Sequence, residues 1–304
     1  MAFVSHDTSI DFLQRVAQGA RDAALDYNVF LTFTGPPTID QPAQIGMWDA
    51  LIQTKPDAMV VIADDPAVWA APVKRATDAG ILVLTVDTDV PNSTRTAFLG
   101  PDPTLLGKNL GDAVHKLIGD QGKVVVGICV LGPSVHAQRM AGFQSAFAGT
   151  SVKILGPYET NCDATQNFTN WSNLYTANPD AAALVGLTAV ETASLGKLKQ
   201  QTGGKFIAAS FDPGAVGLQQ MLSGYLSVCV GQNPYLDGYL PIQAIAKHFR
   251  NGSVIKPGIN LYPGEFITPQ TAQALIEREN MGAPMKAWYK DFIAKNNLAD
   301  FGLQ

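Results

Sequence analysis

The sequence predicts an α/β protein of two doubly wound lobes joined by a three-segment hinge, residues 1–101 plus 234–261 forming one lobe and 102–233 plus 262–304 the other. Three observations predict it. Short, nearly unbroken apolar runs such as 58–63 alternate with stretches of helical period, and an unbroken run is what a parallel strand buried on both faces requires. The alternation occurs twice, each series closing on a strand followed by an aspartate: Leu84-Thr85-Val86-Asp87 and Ala209-Ser210-Phe211-Asp212. The length, 304 residues, exceeds one typical domain and suits two.

In order, Phe3 and Val4 are the stub of a first strand, and Ser5-His6-Asp7-Thr8-Ser9 is its carboxyl-end loop. Phe12, Val16, Ala20, Ala23 and Ala24 then recur at helical spacing. Strands follow at 29–33, 58–63 and 81–86, separated by helices marked by Ile45, Trp48, Leu51 and Ile52 and by 66–79. The second series has helix 104–118, strand 123–130, helix 137–147, strand 152–155 and helix 165–177. Strand 182–187, helix 191–201, strand 206–211, a short helix and strand 226–231 complete it. Both series have the βα alternation of Rossmann-like sheets, whose ligands lie at the carboxyl ends of strands. Segments 100–103, 232–234 and 261–265, rich in Gly and Pro, are the expected crossings between lobes. Small φ/ψ changes there would hinge the lobes about a cleft.

Composition narrows the function. Hydrophobic residues make up 46% and charged residues 15%, which describes a packed globular protein without a disordered tail. The net charge of −5 and the scattered basic residues argue against nucleic-acid binding. No apolar run approaches the roughly 20 residues that span a bilayer. Met1 and Ala2 lead straight into a strand, so an exported form would have shed its leader ahead of this sequence. The four histidines show no ligand spacing with cysteine or carboxylate, so no metal and no cofactor are expected. Cys129, Cys162 and Cys229 leave two readings open, one disulfide or three inert thiols.

Several motifs, weak singly and strong in their order, carry a resemblance. They are Gln232-Asn233-Pro234-Tyr235-Leu236-Asp237-Gly238-Tyr239, the Ser210-Phe211-Asp212 strand end and Gln138-Arg139-Met140-Ala141-Gly142-Phe143. The opening His6 with Phe12 and Gly19-Ala20, and Ala177-Asn178-Pro179-Asp180, fit with them. Over nearly its whole length the chain resembles the type I periplasmic solute-binding proteins of ABC transporters, in the ribose-binding-like sugar group. The resemblance implies a monomeric two-lobed clamp, periplasmic or at the cell surface, that closes on a sugar or polyol and passes it to a membrane permease.

Carried over position by position, Asp212 accepts from ligand hydroxyls, Gln232 reaches the ligand beside the hinge, and Asp87 is the first-lobe counterpart of Asp212. Phe12 packs on the ligand's carbon skeleton and Ser9 is a polar contact in the same loop. Thr188 follows the third strand of the second lobe, with Val190 as its rival. The departures are Thr88 and Ala137 where ribose-binding relatives carry arginine, and Asp11 and Cys162 where they carry aromatics. Losing two guanidinium forks removes donors suited to a ring oxygen and adjacent hydroxyls. The expected ligand is therefore a monosaccharide or sugar alcohol other than ribose, with His6 and His136 as compensating donors. On this reading Asp212→Ala weakens binding about tenfold or more and leaves the fold intact.

Competing readings have less behind them. Asp87 and Asp212 are also good N-caps for a following helix. GxSxG, HExxH and Walker A sequences are all absent, which leaves a carbohydrate-active enzyme only the Asp87 and Asp212 carboxylates to work with. The effector domain of a sugar-responsive regulator, or a receptor for a sugar-like signal, would use the same module.

Overall fold

The computed structural model describes residues 1–63, 65–279 and 282–304. The chain forms two α/β units, each with its own six-stranded sheet. Unit 1 comprises Met1–Pro101, Asn233–Tyr262 and Met281–Gln304, and unit 2 comprises Asp102–Gln232 and Pro263–Asn280.

In unit 1 the elements are β1 (Ala2–Val4), α1 (Asp11–Asp26), β2 (Thr32–Thr34), α2 (Gln41–Ile52), β3 (Ala58–Val61), α3 (Pro66–Asp78), β4 (Leu82–Val86) and β5 (Ala97–Pro101). In unit 2 they are α4 (Pro103–Ile118), β6 (Gln121–Ile128), α5 (Ser134–Ser145), β7 (Ser151–Glu159), α6 (Ala164–Ala177) and β8 (Ala183–Gly186). Unit 2 continues with α7 (Val190–Thr202), β9 (Ile207–Phe211), α8 (Gly214–Leu222) and β10 (Val228–Gly231). Helix α9 (Pro234–Asn251) and β11 (Gly258–Tyr262) return to unit 1, β12 (Glu265–Ile267) and α10 (Pro269–Leu275) belong to unit 2, and α11 (Ala283–Lys295) closes unit 1.

Unit 1's sheet runs β11-β5-β4-β3-β1-β2 and is parallel throughout. Unit 2's runs β12-β10-β9-β8-β6-β7 and is parallel except for β12. The first five strands of each series therefore take the same doubly wound order, with the switch point between β1 and β3 in one unit and between β6 and β8 in the other. Within each sheet the parallel strands present their carboxyl ends on one side, where such sheets receive ligands. The central strands are buried on both faces, Met59, Val60 and Val61 in β3 and Leu184 and Val185 in β8 being fully inaccessible. This explains why their sequences show no alternation.

Close helix approaches fix the layers. A Cβ on Gly19 would lie 2.0 Å from the Tyr235 carbonyl oxygen, and one on Gly238 2.0 Å from that of Val16, so α1 and α9 touch backbone to backbone. Four aspartates, Asp40, Asp65, Asp102 and Asp163, accept from the first-turn N–H groups of α2, α3, α4 and α6.

Four sequence expectations need correction. Strand β2 begins at Thr32, because Val29 still donates to the Ala24 carbonyl in the turn that ends α1. Strand β7 extends to Glu159 rather than stopping at Leu155. Strands β5, β11 and β12 were expected as crossings or loops. The C-terminal segment belongs to unit 1 rather than to the second lobe: Tyr289 of α11 stacks on Tyr235 at 4.4 Å, Lys286 pairs with Asp26 at 2.7 Å, and Ile255 bridges to Leu303.

Candidate functional site

In unit 2 the site begins where β9 ends. Asp212 takes up a left-handed φ of 43° and is buried to 4% exposure. Its Oδ1 accepts the backbone N–H of Gln232 at 2.7 Å and its Oδ2 accepts Gln232 Nε2 at 2.6 Å, joining the ends of β9 and β10. Gln232 Oε1 in turn accepts from a guanidinium nitrogen of Arg139. Arg139, 3% exposed, also donates to the Leu187 carbonyl at 3.0 Å and lies 4.8 Å from the Phe211 ring centroid. Two predicted residues, Asp212 and Gln232, thus meet directly, and Arg139 fixes the second of them. In a low-dielectric setting such a chain of charge-assisted bonds is rigid and costly to break.

In unit 1 the equivalent strand, β4, ends on Asp87, again left-handed with φ 57°. Thr88 is buried; its N–H donates to the Val86 carbonyl and its hydroxyl lies 3.5 Å from Asp87 Oδ2. A non-glycine residue in this region is tolerated mainly as Asn or Asp and costs about 1–2 kcal/mol otherwise. The N-cap alternative fails for both residues. Helix α8 has Pro213 at its cap and no side-chain cap bond, and Asp87 is followed by β5 rather than by a helix.

The loop after β1 is built on Asp7, whose Oδ1 accepts from Ser9 N (2.6 Å), Ser9 Oγ (3.0 Å) and Ile10 N (3.0 Å). Ser9 is exposed there, and His6 is half-buried with a buried Nδ1 that has no hydrogen-bond partner among the described residues. Phe12, in the first turn of α1, is buried to 8% exposure. Asp11 is exposed and pairs with Arg15, whose side chain is 7% exposed. In unit 2, His136 Nδ1 bonds the Val130 carbonyl at 2.8 Å, next to Ala137 at the start of α5. Thr188 is buried after β8 and its N–H donates to Glu191 Oε2 at 3.0 Å. Val190, its rival, is the first residue of α7.

Positions 88 and 137 carry no arginine, and three buried arginine side chains lie elsewhere. Arg139 donates to Gln232, Arg15 pairs with Asp11 within α1, and Arg95 forks onto Asp89, two residues after Asp87. Arg15 and Arg95 carried no sequence signal beyond being basic residues near helix or loop starts. The open question about cysteine is resolved: Cys129 and Cys162 form a disulfide with their Cα atoms 4.7 Å apart, and Cys229 is free and buried. The disulfide joins the loops after β6 and β7. Among the described residues, no cluster of three or more His, Cys, Asp or Glu could hold a metal, and no helix is long and apolar enough to cross a membrane.

Comparison with known proteins follows this geometry. The family described as periplasmic binding protein domain matches residues 1–253. A xylose/arabinose-binding protein of Sulfolobus acidocaldarius is 23% identical over 292 residues, covering 90% of this chain and 72% of that protein. A ribose import binding protein of Salmonella typhimurium is 31% identical over 174 residues, 56% of this chain and 58% of its own length. Among solved structures, an ABC transporter solute-binding protein of Burkholderia graminis in complex with D-arabinose superposes with a TM-score of 0.84 at 22% identity, covering 89% of this chain and 95% of that one. One from Agrobacterium vitis bound to α-D-tagatopyranose gives 0.82 at 26% identity, covering 89% and 94%.

Proposed function

Because the chain belongs to the periplasmic binding protein domain family, we propose that it is the solute-binding component of an ABC transporter, holding a monosaccharide or sugar alcohol and delivering it to a membrane permease. The observation that carries this reading is the pair Asp87 and Asp212. Each ends the same strand of its repeat, each adopts φ > 0, and neither caps a helix. Backbone strain kept at matching strand ends points to function, and a carboxylate there accepts from two sugar hydroxyls at once. Hydrogen bonds to a charged group contribute about 1.5–3 kcal/mol each, and micromolar affinity needs about 8 kcal/mol. Two or three such bonds with one packed aromatic, Phe12, reach that range.

The sugar class is supported by the names of the relatives, which bind xylose, arabinose or ribose, and by the two ligand-bound structures. Gln232, held by Arg139, and His6 supply donors that a ligand's hydroxyl oxygens accept, whereas the Thr188 oxygen, its proton given to Glu191, serves only as an acceptor. We read the protein as a monomeric binder of the periplasm or cell surface that performs no chemistry on its ligand.

A thermal-shift panel of D-xylose, D- and L-arabinose, D-ribose, D-allose, D-tagatose and the pentitols and hexitols tests this. A sugar at a hundredfold excess over its Kd adds about 2.7 kcal/mol of apparent stability. A panel without any shift removes the reading. For the sugar that binds, small-angle scattering should show the radius of gyration falling on saturation, as a clamp requires. An unchanged radius at saturation would leave binding but abolish closure.

A further inference from the structure

Glu191 is a buried carboxylate that the sugar-binding reading does not use. It lies in the first turn of α7 and is fully inaccessible. Its Oε1 accepts from Thr160 Oγ1 at 2.7 Å; its Oε2 accepts from Thr188 N at 3.0 Å and from the Thr188 hydroxyl. Thr160 follows β7 and Thr188 follows β8, so a single side chain ties two strand-end loops of unit 2 together. Thr192, one residue on, donates to the Phe211 carbonyl at 2.6 Å, which brings in the end of β9 beside Asp212.

Two strand ends are cleared for this cluster. A Cβ on Gly186 would sit 2.2 Å from Glu191 Cβ, and one on Gly127 2.6 Å from Thr160 Cγ2 and 2.4 Å from the Trp171 ring. The arrangement is also closed on its outer side. Asn167 Nδ2 donates to Thr160 Oγ1 at 3.1 Å and to the Asn161 carbonyl at 2.8 Å, next to the disulfide at Cys162.

We propose that Glu191 is a positioning residue for sugar binding, holding the loops after β7 and β8 so that Thr188 and the strand ends of unit 2 meet the sugar in one fixed conformation. The proposal rests on the sugar-binding reading above. Its chemistry makes it sensitive to pH. The groups around Glu191 are Thr160 after β7, Asn167 of α6, Thr188 after β8 and Ser210 of β9, hydroxyls and an amide; among the described residues no charged side chain pairs with it. Burial without a cation raises its carboxyl to about 7. Three donors converge on it, and they suit the ionised, acceptor-only form. Protonation turns one acceptor site into a donor and loosens the hold on a loop, so sugar affinity falls as pH drops through 7.

The test compares wild type with Glu191→Gln by calorimetry across the sugar panel at pH 8 and pH 6, alongside hydrogen exchange of the sugar-free proteins. For the sugar that binds, the wild-type Kd should rise roughly fivefold or more from pH 8 to pH 6. Glu191→Gln should bind about tenfold more weakly at pH 8, with a Kd that no longer depends on pH. The Thr188 amide should exchange about tenfold faster in the variant without any sugar. Thr160→Val, which keeps the shape and removes the hydroxyl, should weaken binding in the same direction if Glu191→Gln does not fold. Wild-type affinity in the variant, a pH profile shared by both proteins, or an unchanged Thr188 exchange rate would overturn the proposal. If no sugar binds wild type, the functional reading fails, while the exchange measurement still decides whether Glu191 holds the loop.

Discussion

Asp212→Ala is expected to lose about 4 kcal/mol of stability as well as its sugar affinity. The carboxylate is the acceptor for both the backbone N–H and the side-chain amide of Gln232, two buried donors left without a partner in the variant. Each such loss costs about 1–3 kcal/mol. Alanine at φ 43° adds about 1 kcal/mol of backbone strain. Asp212→Asn separates the contributions. Asparagine tolerates the left-handed conformation and can still accept the Gln232 N–H. Its NH2, however, faces Gln232 Nε2, and that amide cannot turn over because its oxygen is held by Arg139. About half the loss should remain. Urea unfolding of the three proteins measures this, and an Asp212→Ala midpoint equal to wild type would refute it. Its strand-end position gave Asp212 no fold role in the sequence, and the two bonds from Gln232 are the reason to expect a stability loss beside the loss of affinity.

Reducing the Cys129–Cys162 bond should destabilise unit 2 by about 3–4 kcal/mol. The bond closes a loop with a sequence separation of 33, and the loop-entropy relation for that length gives this range. A loss of that size lowers the melting temperature of a domain of unit 2's size by about 10 °C. Calorimetry with and without a phosphine reductant, and of Cys162→Ser, measures it. Cys229 gives the control: burial raises its thiol well above the ordinary value, so native protein should show no reactive thiol and unreduced, denatured protein only one. Coincident melts with and without reductant would show that the bond contributes nothing.

The most legible strands are those whose apolar run is long and unbroken. Runs such as Met59-Val60-Val61 and Ala208-Ala209 have no polar residue to break them, and their spacing revealed the repeat. Short or interrupted strands were less legible, whatever their place in the sheet. Strand β5 ends in Gly100-Pro101, which reads as a chain break, and β12 has three residues, too few to show a period. The side on which α11 packs depends on Tyr289 meeting Tyr235 more than fifty residues away, and no local pattern encodes that. The same contrast holds at the site. Asp87 and Asp212 stood out because each terminates an apolar run at the same place in a repeat. Glu191 reads as an ordinary acidic residue in a helix's first turn, where such charges commonly face solvent. Only the glycine opposite it and the threonines on two other loops make it a buried acceptor.

The way the chain is shared between the two units has a consequence for biosynthesis. Five of unit 2's six strands lie within one uninterrupted stretch, Asp102–Gln232, whereas unit 1 receives α9 and β11 only after that stretch and α11 only near residue 295. Domains usually fold in the order in which the ribosome releases them. Here the order is reversed, because the portion translated first keeps the apolar face of α1 and the β5 edge of its sheet uncovered until α9 and β11 emerge. During that interval the apolar surfaces of unit 1 are open to a holdase chaperone, and a chain halted there would be prone to aggregate.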